Sequence, residues 1–175
     1  MEVHRRKKYA GTGTVSRYDD IITTGFLAGH IPYAPGTMGA LVALAVWCLY
    51  AYCIPFIADS YVIVMNLTSM LTVLLIILGI PAIDRVETVW GPDPKRVVVD
   101  EMIGMWMALF GVPASREWYW VLSAFLLFRL FDIWKPLGIR WLDRNIHGGM
   151  GVVLDDMLAG LYSAAVMLIV RAVVG

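Results

Sequence analysis

The sequence predicts an all-α integral membrane protein with about four to five apolar helices and a polar site at one membrane surface. Composition is the first indication, because 59% of the 175 residues are hydrophobic and 16% are charged, with a mean hydropathy of +0.71. Soluble domains are closer to half apolar and a quarter charged. Long uncharged runs and an uneven distribution of positive charge are the other indications. They predict a basic tail over residues 1–16 and a single membrane domain over 17–175.

Two apolar runs are the clearest candidates for membrane-spanning helices. Residues 40–57 and 61–83 carry no charge, and about 20 such residues cross the hydrocarbon core of a bilayer. Pro55 and the polar residues that follow it predict the turn between them. Three further helices are predicted over residues 103–115, 118–134 and 152–170. The first and last of these three reach spanning length only if the acids before them are included, so buried or tilted interfacial helices remain the alternative.

Positive charge predicts how these helices are oriented. With the N-terminus in the cytoplasm, Arg116 and Arg171 lie outside, and the other basic residues lie inside. This agrees with the positive-inside rule. It predicts that the polar segments 17–39, 84–101 and 129–156 meet at the cytoplasmic surface. The formal net charge is zero, which gives no indication of a nucleic-acid partner.

Two pairs of acidic residues, each at the start of an apolar helix, are the main candidates for chemistry. Asp100-Glu101 follows three valines, and Asp155-Asp156 follows Val-Val-Leu. Carboxylates beside hydrocarbon are costly and mark functional sites. The repeat predicts a shared site for a hard cation such as Mg²⁺, which takes oxygen ligands. The alternative is that each pair stabilises a helix N-terminus. Gly104, one helical turn after Asp100, predicts close approach of another helix.

A Gly-Pro turn before the first long helix is a candidate phosphate site. Pro35-Gly36-Thr37-Met38-Gly39 leads directly into an apolar run, and free N–H groups at a helix start bind anions. We expect Gly36, Thr37 and Gly39 to contact phosphate. The alternative is an ordinary helix entry with Thr37 as N-cap. The segment lacks the Gly-Lys-Ser/Thr ending of a Walker motif.

A polar segment after the fourth apolar run supplies the remaining candidates. Lys135 can receive a phosphate or an anionic lipid head group, whereas a solvated, positive-inside loop is the alternative for the arginines that follow. Arg129 and Asp132 are three residues apart and can pair on one helix face. The glycine-rich stretch 148–151 predicts a flexible turn. The supporting residues expected here are Arg129, Asp132, Asp143, Arg144 and His147.

Six segments together resemble the phosphatidylglycerophosphatase A family. They occur in the family's order over about residues 20–165, and they are Thr24-Gly25-Phe26, Pro35–Gly39, Val99–Trp106, Phe128–Pro136, Arg140–Arg144, and His147–Gly151 with Asp155-Asp156. The resemblance implies a predominantly helical, Mg²⁺-dependent phosphatase of the bacterial cytoplasmic membrane. Such an enzyme would remove the terminal phosphate of phosphatidylglycerophosphate to give phosphatidylglycerol.

Residues and resemblance together predict metal-assisted hydrolysis with two sets of ligands. Mg²⁺ and catalysis are assigned to Asp100, Glu101, Asp155 and Asp156, and phosphate binding to Gly36, Thr37, Gly39 and Lys135. Which acid is the base and which a ligand is left open, and an acyl-phosphate on an aspartate is the less favoured route. A membrane cation transporter and a non-catalytic lipid-binding protein are the alternatives from other classes. The oligomeric state is not predicted.

Overall fold

The computed structural model describes residues 13–136 and 138–174, and these residues form helices without any strand. Most of the expected N-terminal tail over 1–16 lies outside the described residues. The all-α prediction is confirmed. The helices, in order, are α1 (Arg17–Thr23), α2 (Pro35–Cys48), α3 (Pro55–Ala58), α4 (Tyr61–Trp90), α5 (Val99–Leu109), α6 (Trp118–Trp134), α7 (Ile139–Asn145) and α8 (Gly148–Val174). A 3₁₀ turn covers Ala28–His30, and a π-helical turn, Leu49–Cys53, continues α2.

Three of the helices in the described part of the chain are long and apolar enough to cross a membrane. They are Pro35–Cys53, Tyr61–Trp90 and Gly148–Val173. All five predicted apolar helices are present, but α5 has 11 residues, which is about 16 Å of helix. Helix α6 begins and ends where the sequence predicts and has 17 residues. Three helices therefore have the length and composition of a membrane span, and a number of four to five spans is not confirmed.

Helix α5 is the centre of the molecule. Its apolar side chains are buried on all sides, among them Met102, Ile103, Met105 and Leu109. It packs against α2, α4, α6 and α8. A helix that is apolar all round is buried inside a protein or a membrane, and here the neighbours of α5 are other helices. The third apolar run is therefore a buried core helix, and the acids at its start lie inside the bundle.

Helices α5 and α8 cross at two glycines. A side-chain carbon at Gly160 would overlap the carbonyl oxygen of Gly104, and one at Gly104 would lie 2.5 Å from the Phe128 ring and 2.7 Å from the Asp156 carbonyl oxygen. The close approach predicted at Gly104 is confirmed. Asp100 and Asp156 each precede their glycine by four residues, about one helical turn. The crossing therefore brings the two acidic pairs together.

Two arginines bind backbone carbonyl oxygens at the end of the bundle that lies away from the acidic pairs. The Arg116 guanidinium donates hydrogen bonds to the carbonyl oxygens of Ala51, at 2.8 Å, and Ala58, at 2.6 Å. Arg171 donates to the Gly111 carbonyl oxygen at 3.2 Å. These bonds join the segment after α2, the loop after α5 and the last turn of α8. The two basic residues assigned to the outside thus lie together, away from the acidic pairs.

The glycine-rich stretch at 148–151 is the first turn of α8 rather than a flexible turn. Asp84 of α4 accepts a hydrogen bond from the Gly149 N–H at 2.7 Å. A side-chain carbon at Gly149 would overlap the carbonyl oxygen of Ile80. The glycines therefore allow α8 to begin against the backbone of α4, and a carboxylate satisfies one of the free N–H groups of the helix start.

Candidate active site

Three carboxylates from α5 and α8 form a compact cluster, which we call the carboxylate cluster. Its members are Asp100, Glu101 and Asp156, and one oxygen from each lies within 4.8 Å of the other two. Asp100 is 9% exposed and Asp156 is 4% exposed. Within the described residues, Asp100 Oδ1, Glu101 Oε2 and Asp156 Oδ2 are buried without a hydrogen-bond partner. Buried carboxylates without partners are costly, and these three oxygens are close enough together to hold one cation.

The chemistry of the donor set indicates which kind of cation fits. All three side chains offer oxygen, and neither nitrogen nor sulfur ligands contribute to the cluster. Oxygen-only sites suit hard cations such as Mg²⁺, whereas thiolates and imidazoles select softer metals. The residues present therefore fit the metal that the resemblance implies.

Asp155 lies beside the carboxylate cluster but has a different partner. The Lys135 ammonium donates to Asp155 Oδ2 at 2.5 Å and to Asp143 Oδ1 at 2.7 Å. Burial lowers the pKa of Lys135, but its hydrogen bonds to the two carboxylates outweigh this and hold the pKa above its ordinary value. Lys135 is therefore a permanent positive charge at the edge of the cluster.

A cavity of about 740 Å³ joins these groups to the surface at the end opposite Arg116. The predicted site residues that line it are Asp100, Glu101, Asp132, Lys135, Asp143, His147, Asp155 and Asp156. Arg129 supports it from α6, because its Nη1 lies 2.5 Å from Asp132 Oδ2, which confirms the expected i,i+3 pair. Arg144 is exposed and is not among the lining residues.

Sequence reasoning missed a group of polar residues on the α4 side of this cavity. They are Asp84, Glu87, Thr88 and Asp93. Asp84 caps α8, and Glu87 accepts a hydrogen bond from the Asp93 N–H at 3.0 Å. A signal was present, because Asp84 and Glu87 stand one turn apart directly after an apolar run. The two acidic pairs are recognised in the sequence by the same feature, acids directly beside apolar residues.

The start of α2 lies against the carboxylate cluster at one residue, Gly36. A side-chain carbon at Gly36 would overlap Glu101 Oε1, whereas one at Gly39 would lie 2.7 Å from Val98 Cβ. Gly36 therefore adjoins the cluster, and Gly39 packs on the segment before α5. Helix α2 begins at Pro35 with Ala34 as N-cap, so Thr37 lies in its first turn and is not the cap. Thr37 is half-buried and is not among the cavity residues.

The turn around Thr24 packs against the start of α5 and the segment before it. The Val98 N–H donates to the Thr23 carbonyl oxygen at 2.8 Å, and a side-chain carbon at Gly29 would overlap the carbonyl oxygen of Arg96. Gly25 has a positive φ of 54° and faces Met102. This motif therefore holds the acids of α5 in place without contacting the cavity.

The fold and the site define a class: a helical membrane protein with a buried, oxygen-rich cluster that fits a hard divalent cation, beside a fixed lysine. Sequence comparison identifies the family. The model of the family described as phosphatidylglycerophosphatase A matches residues 21–171. The chain belongs to this family, and it is an enzyme that hydrolyses phosphoric monoesters.

Curated relatives cover most of the chain. A Bacteroides thetaiotaomicron protein, provisionally named a phosphatidylinositol-3-phosphatase, is 47% identical over 89% of this chain and 94% of its own length. The phosphatidylglycerophosphatase A of Escherichia coli is 38% identical over 84% of this chain and 80% of its own. That of Haemophilus influenzae is 31% identical, with coverages of 86% and 87%. No solved structure matches the chain.

Proposed function

We propose that the protein is a Mg²⁺-dependent phosphatidylglycerophosphatase that releases the terminal phosphate of phosphatidylglycerophosphate and leaves phosphatidylglycerol. The observation that carries this proposal is the carboxylate cluster, with three buried, unpartnered oxygens beside Lys135 in one open cavity. The family match and the names of the Escherichia coli and Haemophilus influenzae relatives support the choice of substrate.

The metal would be held by Asp100, Glu101 and Asp156, because their oxygens converge and lack other partners. Bound Mg²⁺ would supply a positive charge that polarises the phosphoryl group and lowers the pKa of nearby water. Asp155 is the fourth acid assigned from the sequence, and its hydrogen bond to Lys135 gives it the task of orienting that ammonium group.

The chain's own residues would bind the phosphate and manage the protons. Lys135 would exchange part of its pairing with Asp143 for the phosphate oxygens, as a charge-assisted donor. The first-turn N–H groups of Gly36 and Thr37 have no carbonyl partner within their helix, and Gly36 adjoins Glu101. We therefore expect these two N–H groups to be further donors to the phosphate. A carboxylate of the site would take a proton from water as the water attacks phosphorus. The same carboxyl group would return a proton to the glycerol oxygen as its bond to phosphorus breaks, giving the alcohol and free phosphate.

We place the site at the cytoplasmic face of a bacterial inner membrane. The positive-inside rule supports this orientation, and the fold supports it by separating two ends. The acids, Lys135 and the start of α8 lie at one end, and Arg116 and Arg171 lie at the other. The head group would then reach the cavity from the inner leaflet while the tails stay in the bilayer.

A cation transporter fits the structure less well than a phosphatase. The buried hydroxyls between the two ends are already engaged, since Thr68, Thr72 and Ser163 donate to carbonyl oxygens of their own helices. Tyr50 bonds to Thr68 at 2.7 Å. Satisfied hydroxyls of this kind stabilise helix packing and offer no continuous path for an ion.

The Bacteroides thetaiotaomicron relative supplies a second candidate substrate. Its name specifies a phosphomonoester on an inositol ring, and its identity to this chain, 47%, exceeds the 38% of the Escherichia coli protein. Both substrates carry a phosphomonoester on the head group of a membrane lipid, so the same cluster and lysine could serve either.

The experiment measures phosphate release by the purified protein in detergent micelles, with phosphatidylglycerophosphate, phosphatidylinositol 3-phosphate or phosphatidic acid as the substrate. We expect the highest kcat/KM with phosphatidylglycerophosphate and Mg²⁺, and no turnover after chelation of divalent cations. A higher kcat/KM with phosphatidylinositol 3-phosphate would show that the inositol lipid is the preferred substrate instead. No release from any of the three would contradict the proposed function and favour a lipid-binding role.

A further inference from the structure

A second cavity lies on the outside of the bundle, between α6 and α8. It has a volume of about 680 Å³. Its walls are mainly apolar and include Phe131, Trp134, Tyr162, Ala165, Val166 and Ile169. We call it the lateral groove. Trp134 and Ile169 are 61% and 64% exposed, so the groove is open at the outer surface of the bundle.

The lateral groove adjoins the active-site cavity at one shared residue. Lys135 lines both cavities, and its ammonium group bonds to Asp155 on the active-site side. A ligand that fills the groove can therefore place its polar end at Lys135, next to the active-site cavity.

The dimensions of the groove match a lipid chain. From Tyr162 to Ile169, the first and last groove residues on α8, the helix rises about 10 Å. One leaflet of the hydrocarbon core is about 15 Å thick, half of the full core. The Phe131 and Tyr162 rings meet edge to face at 6.1 Å and form one end of this wall. The groove thus offers apolar side chains along about two thirds of the depth of one leaflet.

Charge at the mouth of the groove points to an anionic head group. Arg140, in the first turn of α7, lines the groove together with Lys135. Arg140 is exposed, and within the described residues its one hydrogen bond is to the Trp134 carbonyl oxygen, at 3.3 Å. An apolar channel below two cations is complementary to a phospholipid with a negative phosphodiester.

We propose that the lateral groove receives an acyl chain of the phospholipid substrate and that Arg140 pairs with its phosphodiester, so that the lipid enters the active site sideways from the leaflet. This inference rests on the proposed function and adds the residues that select a lipid over a soluble phosphomonoester. Lys135 then faces the terminal phosphate, and Arg140 faces the phosphate that is retained in the product.

The test narrows the groove and varies the length of the substrate's chains. Ala165→Phe places a ring in the groove, and Ala172→Phe is the matched control, since Ala172 is exposed on the same helix but is not among the groove residues. Each variant is assayed in micelles with Mg²⁺ on dioleoyl and dihexanoyl phosphatidylglycerophosphate. Ala165→Leu, a smaller change at the same exposed position, covers the case in which the phenylalanine variant does not fold.

We expect Ala165→Phe to lower kcat/KM on the dioleoyl substrate roughly tenfold, the effect of losing about two buried methylenes. On the dihexanoyl substrate it should match the wild-type protein, and Ala172→Phe should match it on both. An equal loss of kcat/KM on both substrates, or no loss on either, would contradict the proposal that the groove binds an acyl chain. The proposed function would be unaffected. If the wild-type protein hydrolyses neither lipid, the function fails and the groove proposal fails with it.

Arg140→Gln tests the proposed pairing of Arg140 with the phosphodiester. Arg17→Gln is the control, because Arg17 is another exposed arginine at the active-site end of the bundle. We expect Arg140→Gln to raise KM for both chain lengths by roughly threefold, as suits an exposed ion pair. The effect should shrink as salt is added. Unchanged KM and unchanged salt dependence would show that Arg140 does not meet the phosphodiester.

Discussion

At the residue scale, neighbouring acids with the same sequence setting have different partners. Asp156 faces Asp100 and Glu101, while Asp155 bonds to Lys135. Adjacent residues on a helix diverge by about 100°. On α8 this leaves Asp155 outside the carboxylate cluster, whereas on α5 both Asp100 and Glu101 reach it. The structure therefore separates the three clustered acids, to which we assign the metal, from Asp155 and Lys135, to which we assign the phosphate.

The first prediction tests this division through Lys135→Ala. We expect KM for the phospholipid to rise with little change in the Mg²⁺ concentration required, because the ammonium group bonds to Asp143 and Asp155 and lies outside the carboxylate cluster. Loss of a charge-assisted hydrogen bond should cost about 1.5–3 kcal/mol, roughly tenfold to a hundredfold in kcat/KM. Lys95→Ala, an exposed lysine of the α4–α5 loop, is the control. A raised Mg²⁺ requirement with unchanged saturating kcat/KM would show that the division is wrong.

The second prediction concerns Gly36→Ala. The added carbon would overlap Glu101 Oε1, and the carboxylate must move because it is the free end of a side chain. We expect at least roughly a tenfold loss of kcat, since small displacements in a catalytic site are costly, with little change in melting temperature. Gly13→Ala is the control, because its added carbon would lie 3.6 Å from Val89, an ordinary contact. Full activity of Gly36→Ala would show that Gly36 is not part of the active site.

At the element scale, the crossing of α5 and α8 builds the site. Gly104 and Gly160 let the two backbones touch, and the acids one turn earlier on each helix then converge. The sequence predicted both acidic pairs, the approach at Gly104 and the bounds of α6. It could not predict that α5 is a buried core helix, because hydropathy does not distinguish lipid neighbours from protein neighbours. Nor could it predict that both acids of the α5 pair, but only Asp156 of the α8 pair, join the cluster, since that depends on the crossing geometry.

The third prediction tests the helix crossing with Gly160→Ala. A methyl group there would overlap the Gly104 carbonyl oxygen, which is backbone and cannot rotate away. We expect a loss of about 1–3 kcal/mol in stability, as for other overpacked cores, together with reduced activity as the acids separate. Thermal unfolding in detergent measures the first effect. Leu161→Ala, at a neighbouring position that is 47% exposed, should change stability much less, and equal stability of the two variants would contradict the crossing.

At the scale of the whole molecule, the two ends of the bundle differ in chemistry. One end holds the acidic cavity, Lys135 and the mouth of the lateral groove, and the other holds the carbonyl contacts of Arg116 and Arg171. This separation suits a protein that takes a lipid from one leaflet and releases a soluble product on the same side.

The fourth prediction tests the orientation by labelling with a thiol reagent that does not cross membranes. In a background without Cys48 and Cys53, we expect His147→Cys to be unlabelled from outside intact cells and labelled after the membrane is opened. Asp59→Cys, in the exposed turn before α4, should be labelled from outside. The reverse pattern would show that the site faces the outer surface.

The central claim is that Asp100, Glu101 and Asp156 bind the metal on which hydrolysis depends. The most direct test is a Mg²⁺ titration of phosphate release from phosphatidylglycerophosphate by the wild-type protein, Asp156→Asn and the control Asp59→Asn. The amide keeps the shape of Asp156 and removes its charge, so the protein should fold. Turnover should fall by more than roughly a hundredfold, as expected for a lost buried charge partner, and any remaining activity should need more Mg²⁺. Wild-type turnover and an unchanged Mg²⁺ titration for Asp156→Asn, alongside a normal Asp59→Asn, would contradict the claim.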